Sequence, residues 1–257
     1  MVALRDVRAD AARGGVSSAW LSVPEVAAVL EGDATRARRC LELWLAPVER
    51  ATLDRLSVPK RRREWLAGRL AAKELVRRRH RLAGDDALRR IEIEAPQAGP
   101  SKGKPRYRIG DAPGRFDLSI SHSGDCAIAA LANTPEDRIG IDLEQIVVRD
   151  ASFEALALSA RERAVVAPLA GEARAVAVTQ RWVAKEALSK AIGAGLRLRF
   201  ERITVHVDDR GGGEAPSVRF EPPIVHDTPI TGAIRARLAR VGALCVAWVT
   251  IRPGAAP

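Results

Sequence analysis

The chain has 257 residues, of which 47% are hydrophobic and 29% are charged, a composition typical of a soluble globular protein with one large domain or two ordinary ones. The formal net charge of +10 favours an anionic partner: nucleic acid, an anionic membrane, a phosphate-rich ligand or an acidic protein. Three widely separated cysteines argue against a disulfide framework or a zinc site, and no apolar run resembles a signal peptide or a membrane span, so we expect a cytoplasmic protein.

The first half of the chain predicts helices followed by strands. Residues 1–35 are expected to form a variable leader with one short helix that begins near Pro24. From Pro47 the apolar residues recur at helical intervals and basic residues occupy the other face, which predicts a long amphipathic helix. Residues 117–123 and 126–132 have the composition of two strands separated by a Gly-Asp pair, which predicts a hairpin.

The second half begins after residues 133–137, which favour a linker because they combine turn formers with no apolar residue. Ser159 and Glu162 have the spacing of a capping box, which predicts the start of a helix. A longer helix is expected from about residue 173 to residue 192, where Gly193 ends it. Further strands are expected at residues 138–146, 203–207, 217–221 and 242–251.

The two halves look alike when their long helices are aligned on a Lys-Glu pair, so that residues 69–74 match residues 181–186. This predicts an α+β fold with two similar helix-plus-antiparallel-sheet halves related by a pseudo-twofold axis. The expected division is a leader of residues 1–35, an N-terminal half of residues 36–134 and a C-terminal half of residues 135–257. The alternative is a match of composition alone, because Ala, Leu, Lys and Glu are common helix formers.

Asp142 and Glu144 are two residues apart on a predicted strand, so their carboxylates project from the same face. Adjacent carboxylates repel each other unless a cation lies between them, and oxygen ligands of this kind suit Mg²⁺. Taken alone, the pair is also consistent with a solvated edge strand of alternating polar residues.

Glu186 and Lys190 are one helical turn apart on the second long helix, which is also the spacing of an ordinary surface salt bridge. The segment has a further feature, because Trp182 shares its face with Lys185, Glu186 and Ser189. An aromatic side chain of this kind can anchor the helix to a core while the charged flank faces a cleft.

His122 lies in a Ser-His-Ser-Gly segment at the end of a predicted strand, where hydroxyl and backbone N–H groups can hold a phosphate. A structural histidine is the alternative. The segment lacks the frame of a nucleophile elbow, and residues 99–105 lack the spacing of a P-loop, which disfavours nucleotide hydrolases.

The order of these segments closely resembles the surfactin-type 4′-phosphopantetheinyl transferases. The resemblance covers roughly residues 61–198 and implies two similar α+β halves with coenzyme A in the cleft between them. It also implies Mg²⁺-dependent transfer of the 4′-phosphopantetheine arm of coenzyme A to a serine of an acyl or peptidyl carrier protein, with release of 3′,5′-ADP. The segments that carry it are GKP at 103–105, SHSG at 121–124, GIDLE at 140–144, SxxE at 159–162 and WxxKEAxxK at 182–190.

The resemblance implies a role for each matched residue. Glu186 and Lys190 are the implied catalytic residues, with Glu186 as a candidate base and Lys190 near the pyrophosphate. Leu158 stands where the family often has phenylalanine. The implied ligands of Mg²⁺, or of Mn²⁺ as a substitute, are Asp142, Glu144 and Glu186. The implied contacts of coenzyme A are Arg69, Lys104, Ser121, His122, Lys185 and Lys190.

The implied partners are coenzyme A and an acidic carrier protein, with no nucleic acid and no membrane. A monomer is expected, because one chain contains both halves. The alternative is a basic nucleic-acid-binding protein without catalytic activity, supported by the arginine runs at residues 61–63 and 77–79. It explains the charge but not the carboxylates, and an aromatic content of 4% leaves little for base stacking.

Overall fold

The structure, a computed structural model, divides the chain into two compact units between Pro135 and Glu136, inside the predicted linker, and Lys102 groups with the second unit. Each unit combines α-helices with antiparallel strands, which confirms the predicted α+β class. Among the described residues, no helix is long and apolar enough to cross a membrane. The structure describes residues 16–96, 98–99, 102–193, 198–208, 216–221 and 232–254.

The first unit begins with a strand and four helices and continues with five strands. In chain order these are β1 Val16–Ser22, α1 Val23–Leu30, α2 Ala34–Trp44, α3 Pro47–Arg55, α4 Pro59–Arg79, β2 Ile91–Glu94, β3 Arg106–Ile109, β4 Ala112–Pro113, β5 Leu118–Ser123 and β6 Cys126–Ala132. One antiparallel sheet has the order β1-β6-β5 and the other has the order β2-β3-β4. The predicted hairpin is therefore β5 and β6.

Helix α4 packs its predicted apolar face on β1, β5 and β6. At Gly68 the helix approaches β5 so closely that a Cβ would lie 2.8 Å from the Ile120 side chain. A larger residue at this position would therefore require the Ile120 side chain to shift. The predicted apolar residues that are buried are Leu66, Leu70, Leu75 and Val76.

The described part of the predicted leader belongs to the first unit. Strand β1 pairs antiparallel with β6 along its whole length, and its Ala19 and Leu21 side chains are buried in the core. Ser22 then caps α1 by accepting a hydrogen bond from the backbone N–H of Glu25 at 3.4 Å. Residues 16–30 of the predicted variable leader therefore form β1 and α1 of the first unit, while residues 1–15 lie outside the described residues. The predicted division of the chain stays a prediction.

The second unit contains three helices and one five-stranded antiparallel sheet among its described residues. Its elements are β7 Arg138–Gln145, α5 Ala151–Ala157, α6 Ala160–Val166, α7 Gly171–Ile192, β8 Val205–Asp208, β9 Ser217–Phe220, β10 Gly232–Val241 and β11 Leu244–Pro253. The strand order is β7-β11-β10-β9-β8. Helix α6 begins with the predicted capping box, in which Ser159 and Glu162 satisfy each other's backbone N–H groups.

Helix α7 crosses β7 in direct backbone contact at Gly140. A Cβ at this position would overlap the carbonyl oxygen of Ala187 and lie 2.6 Å from the backbone nitrogen of Ala191. Only glycine allows this approach, because backbone atoms cannot move aside as a flexible side chain can. The contact places Glu186, which precedes Ala187, close to Asp142, which follows Gly140 by two residues.

A buried ion pair joins the long helix of the first unit to its surroundings. The side chain of Lys73 in α4 is fully buried; its ammonium pairs with Glu49 and donates to the carbonyl oxygen of Ile91 at 2.6 Å. The two oxygens of Glu49 also accept backbone N–H groups, from Ala46 at 2.9 Å and from Ile93 at 3.0 Å. This pair ties α3, α4 and β2 together.

The second unit repeats this arrangement in α7. The fully buried ammonium of Lys185 lies 2.5 Å from Glu162 and donates to the carbonyl oxygen of Phe200 at 2.9 Å. The oxygens of Glu162 accept backbone N–H groups from Ser159 at 2.6 Å and from Val205 at 2.9 Å. In each unit a buried lysine thus pairs with a glutamate that caps the preceding helix. The same glutamate accepts a backbone hydrogen bond from a strand that follows the long helix.

This repeat supports duplication over a chance match of composition. Composition explains why Ala, Lys and Glu recur in two helices. It does not explain why the lysine of each aligned pair is buried against a capping glutamate. Nor does it explain why both glutamates accept hydrogen bonds from a helix cap and from a later strand. The pseudo-twofold axis itself stays a prediction.

Candidate active site

Strand β7 places Asp142 and Glu144 on one face, as predicted. Asp142 is buried, with 4% of its surface exposed, so the alternative of a solvated polar strand does not describe it. Glu144 is partly exposed and lies 3.5 Å from the guanidinium of Arg149. A buried carboxylate beside a second carboxylate requires a compensating positive charge.

Glu186 of α7 shares the electrostatic environment of these two carboxylates. Burial raises its pKa to about 7, with further contributions from the charges of Asp142 and Glu144, although the Lys190 ammonium opposes the change. The cause is the loss of hydration together with like-charge repulsion. Glu186 therefore interacts electrostatically with Asp142 and Glu144, and these three are the metal ligands that the family resemblance implies.

Lys190 supplies a positive charge to this group. Its Nζ donates to Oδ1 of Asp142 at 2.7 Å, and 30% of the lysine side chain is exposed against 6% of the aspartate side chain. The contact joins α7 to β7 across the sheet. The role of Lys190 is therefore not limited to an ordinary surface salt bridge along one helix, because Lys190 pairs with Asp142 of β7.

Aromatic side chains anchor helix α7 near this group. Trp182 packs edge to face between Phe153 and Phe200, with ring centroids 5.1 Å apart in both pairs. The guanidinium of Arg149 lies over the ring of Phe153 at 4.8 Å while it approaches Glu144. Trp182 thus has the anchoring role predicted for it.

The donor set fits a hard divalent cation in its chemistry. Three carboxylates supply only oxygen ligands, which Mg²⁺ prefers, and their mutual repulsion would be relieved by a cation between them. However, within the described ranges no group of three or more His, Cys, Asp or Glu side chains is close enough to hold a metal ion. The three carboxylates are neighbours in the structure but do not form an assembled metal centre.

The first unit lacks the two strand carboxylates. Strand β1 pairs with β6 as β7 pairs with β11, and the positions that correspond to Asp142 and Glu144 carry Ala19 and Leu21. Both residues are buried in the core of the first unit. The acidic pair is therefore specific to the second unit.

The helix carboxylate of the first unit is also neutralised. Glu74, which aligns with Glu186, accepts hydrogen bonds from Arg77 at 2.6 and 2.7 Å and from Arg78 at 2.6 Å. Burial alone would raise its pKa, but these two arginines lower the pKa below its usual range. The two aligned glutamates thus differ: arginines of the same helix lower the pKa of Glu74, whereas the pKa of Glu186 is raised.

Comparison with known proteins decides the family. The family model described as the 4′-phosphopantetheinyl transferase superfamily matches residues 138–233, which include all three carboxylates and Lys190. The holo-(acyl-carrier-protein) synthase of Streptococcus sanguinis strain SK36 is 30% identical over 119 residues, which cover 44% of this chain and 91% of that protein. The chain belongs to the 4′-phosphopantetheinyl transferase superfamily. It is an enzyme, as predicted, and the surfactin-type subfamily stays a prediction.

Two solved structures each match 46% of this chain. The holo-(acyl-carrier-protein) synthase from Bacillus anthracis str. Ames in complex with CoA (3′,5′-ADP) is 29% identical, covers 46% of this chain and 96% of its own, and has a TM-score of 0.37. The holo-(acyl-carrier-protein) synthase from Neisseria meningitidis is 22% identical, covers 46% and 94%, and also has a TM-score of 0.37.

Lys185 does not have the role predicted for it in this transferase. It is fully buried, and its three ammonium hydrogens have acceptors in Glu162 and in the carbonyl oxygens of Ala157 and Phe200. A lysine has no fourth hydrogen to offer to a phosphate. The structure therefore corrects the prediction that Lys185 contacts coenzyme A. The spacing of Ser159 and Glu162 predicted the capping box of α6, whereas it did not predict that Glu162 pairs with the buried Lys185.

Arg69 and His122 lie in the first unit with different surroundings. Arg69 is largely buried beside the Trp65 ring at 4.9 Å, and burial lowers its pKa despite the nearby Glu49. Its Nε is buried without a hydrogen-bond partner in the described part of the chain. The half-exposed His122 approaches Glu64, with 3.7 Å between Nδ1 and Oε2.

The other predicted coenzyme A contacts of the first unit are less accessible. Lys104 is 13% exposed and forms an ion pair with Asp117 at 2.6 Å. Ser121 lies on β5 with 6% of its surface exposed. Their proposed contacts with a ligand therefore require Lys104 to exchange its partner and the ligand to approach β5 closely.

Proposed function

We propose that this chain catalyses Mg²⁺-dependent transfer of 4′-phosphopantetheine from coenzyme A to a serine of an acyl or peptidyl carrier protein, releasing 3′,5′-ADP. The observation that carries the proposal is that Asp142 and Glu144 share one face of β7 and interact electrostatically with Glu186, whose pKa is raised by burial first and then by these two charges. This group lies in the region that matches the transferase superfamily. It has no counterpart in the strand of the first unit.

The three carboxylates would hold the cation through oxygen atoms only. When bound, Mg²⁺ supplies charge stabilisation to phosphate oxygens. Glu186 is the proposed group that accepts the proton of the carrier serine, because a carboxylate with a raised pKa is a stronger base than an ordinary glutamate. Lys190 is the proposed contact for the pyrophosphate, where negative charge develops during the reaction.

First-unit residues are proposed to recognise the phosphates of the adenosine portion. Arg69 supports this best, because a largely buried guanidinium whose Nε lacks a partner would be stabilised by a phosphate oxygen. His122 offers a half-exposed ring, and Lys104 and Ser121 stay proposals on the strength of the family motif. The net charge of +10 would also attract an acidic carrier protein over long range.

Mass spectrometry of apo-carrier proteins tests the function. We expect fatty-acid, polyketide or nonribosomal-peptide carriers to gain the mass of phosphopantetheine on incubation with the enzyme, coenzyme A and Mg²⁺, and to gain nothing when the metal is chelated. Unchanged mass in every carrier class would overturn the proposal. A rise in melting temperature with duplex DNA, but not with Mg²⁺ plus coenzyme A, would favour the nucleic-acid-binding alternative.

Phosphate recognition predicts two different kinetic effects. His122→Ala and Lys104→Ala are each expected to raise KM for coenzyme A about tenfold, because a charge-assisted contact of this kind is made in ground and transition states alike. Lys190→Ala is expected to lower kcat, because its contact strengthens as charge develops. The measurement determines kcat and KM of each variant with coenzyme A and with 3′-dephospho-coenzyme A as the donor substrate.

The 3′-phosphate separates these roles. Removal of the 3′-phosphate from the donor should raise KM less in His122→Ala and Lys104→Ala than in wild type. In Lys190→Ala the increase in KM should be as large as in wild type. The same penalty in all three variants would show that these residues are wrongly assigned.

The oligomeric state is a further prediction. We expect a monomer in solution, because both helix-plus-sheet units are present in one chain. Multi-angle light scattering across a range of protein concentrations measures the mass directly, and a stable trimer would contradict the expectation. The cytoplasmic location and the absence of nucleic-acid binding likewise stay predictions.

A further inference from the structure

The ion pair between Lys190 and Asp142 is asymmetric. Only 6% of the aspartate side chain is exposed, whereas 30% of the lysine side chain is. Asp142 is held on the backbone of β7, while Lys190 reaches it through a flexible four-carbon stem from α7. The ammonium is therefore the member of the pair that can move away.

Lys190 balances part of the acidic group. Its Nζ lies 2.7 Å from Oδ1 of Asp142. Glu144 has its own cation in Arg149 at 3.5 Å. Lys190 thus pairs with Asp142 and Arg149 lies near Glu144, and the contact of Lys190 is the shorter of the two.

We propose that Lys190 is an internal counter-ion of Asp142 that competes with the divalent cation, so that metal binding requires the ammonium to leave this carboxylate. The inference rests on the proposed function, because it takes Asp142 to be a metal ligand. A divalent cation on Asp142 and an ammonium on the same carboxylate repel each other strongly at such short range. The ammonium on Oδ1 of Asp142 therefore weakens the binding of a divalent cation to the same carboxylate.

Competition of this kind couples the two ligands of the enzyme. Once displaced, the Lys190 ammonium needs another anion, and a phosphate of coenzyme A provides one. The metal releases the lysine for the phosphate, and the phosphate draws the lysine from the metal ligand. Each ligand therefore assists the other.

Titration with Mn²⁺ alone tests the competition. Mn²⁺ is added to the full-length protein without coenzyme A or carrier protein, and free Mn²⁺ is measured by electron paramagnetic resonance. We expect Lys190→Met to bind Mn²⁺ about tenfold more tightly than wild type, since it removes a nearby positive charge and keeps the aliphatic stem. Lys190→Arg, which keeps the charge, should bind as weakly as wild type.

Two controls separate a local effect from a change in net charge. Arg161→Met removes one positive charge from an exposed ion pair of the same unit and is expected to change Mn²⁺ affinity less than twofold. Asp142→Asn combined with Lys190→Met should abolish the gain. If Lys190→Met does not fold, Lys190→Gln serves as the second neutral variant.

The outcomes also separate this inference from the proposed function. Tighter Mn²⁺ binding in the neutral variants supports the competition, whether or not wild type modifies a carrier protein. Equal or weaker binding in the neutral variants overturns it, even if carrier modification is observed. Failure of wild type and all variants to bind Mn²⁺ at millimolar concentration also overturns it, because Asp142 is then no metal ligand.

Discussion

Glu186→Gln is expected to lower kcat for carrier modification by about 10²–10⁴-fold, which is the usual contribution of a positioned acid or base. Glutamine keeps the shape of the side chain and removes its charge and basicity, so the loss is chemical rather than steric. Asp142→Ala is expected to be similarly inactive, because the cation would lose a buried ligand. Initial rates with saturating coenzyme A, Mg²⁺ and apo-carrier protein measure both effects.

Helix α7 offers a matched control for this loss. Glu172 lies in the first turn of the same helix, is 71% exposed and pairs with Arg240. Glu172→Gln makes the same chemical change outside the acidic group, and we expect wild-type turnover. Near-wild-type turnover in both Glu186→Gln and Asp142→Ala would contradict the assignment of the active site.

The stability of Glu186→Gln distinguishes a functional residue from a structural one. The raised pKa shows that the charged carboxylate is unfavourable in the folded protein, since burial and Asp142 both disfavour it. Removing that charge should leave the melting temperature unchanged or higher. A large decrease would mean that Glu186 supports the fold instead of the reaction.

Features that depend on local spacing were predictable from the sequence. Helix α7 follows from its apolar periodicity, and the capping box at Ser159 marks the start of α6. The carboxylates of β7 share a face because strands alternate with a period of two. Gly140 could be recognised only as part of a motif; its reason, the direct contact with Ala187, needs the crossing of α7 over β7.

Features that depend on distant partners were not predictable. Strand β1 has a short and weakly patterned sequence, and its pairing partner β6 is more than a hundred residues away in the chain. The sequence placed Lys185 beside Glu186 on one helix and could not show that Lys185 is fully buried and Glu186 only partly. The burial of Lys185 depends on Glu162, which lies 23 residues earlier and directs its carboxylate inwards.

The sequence indicated the duplication through its two long helices. It did not show that the strand carboxylates are present in one unit only. The Lys-Glu alignment already suggested two related halves, because both pairs occur at the same position of a long helix. The replacement of the strand carboxylates by Ala19 and Leu21 emerges only from the strand registers. The two units therefore share a buried framework and differ in the residues available for chemistry.

Lys185→Met is expected to lower the free energy of unfolding by about 3–5 kcal/mol, the usual effect of removing one partner of a buried ion pair. The variant leaves the Glu162 carboxylate buried without its cation and two backbone carbonyl groups without a donor. Lys60→Met is the matched control: Lys60 is 73% exposed and 3.8 Å from Glu64, so its loss should cost less than about 1 kcal/mol. Urea denaturation followed by circular dichroism measures both.

The double variant Lys185→Met with Glu162→Gln completes the test. Glutamine keeps an oxygen for one of the two backbone N–H groups, that of Ser159 or that of Val205, and removes the uncompensated charge, so the double variant should recover part of the lost stability. A coenzyme A contact would give the opposite result, namely a raised KM with unchanged stability in Lys185→Met. That outcome would restore the role that the sequence first suggested for Lys185, since a buried structural lysine affects folding before it affects substrate affinity.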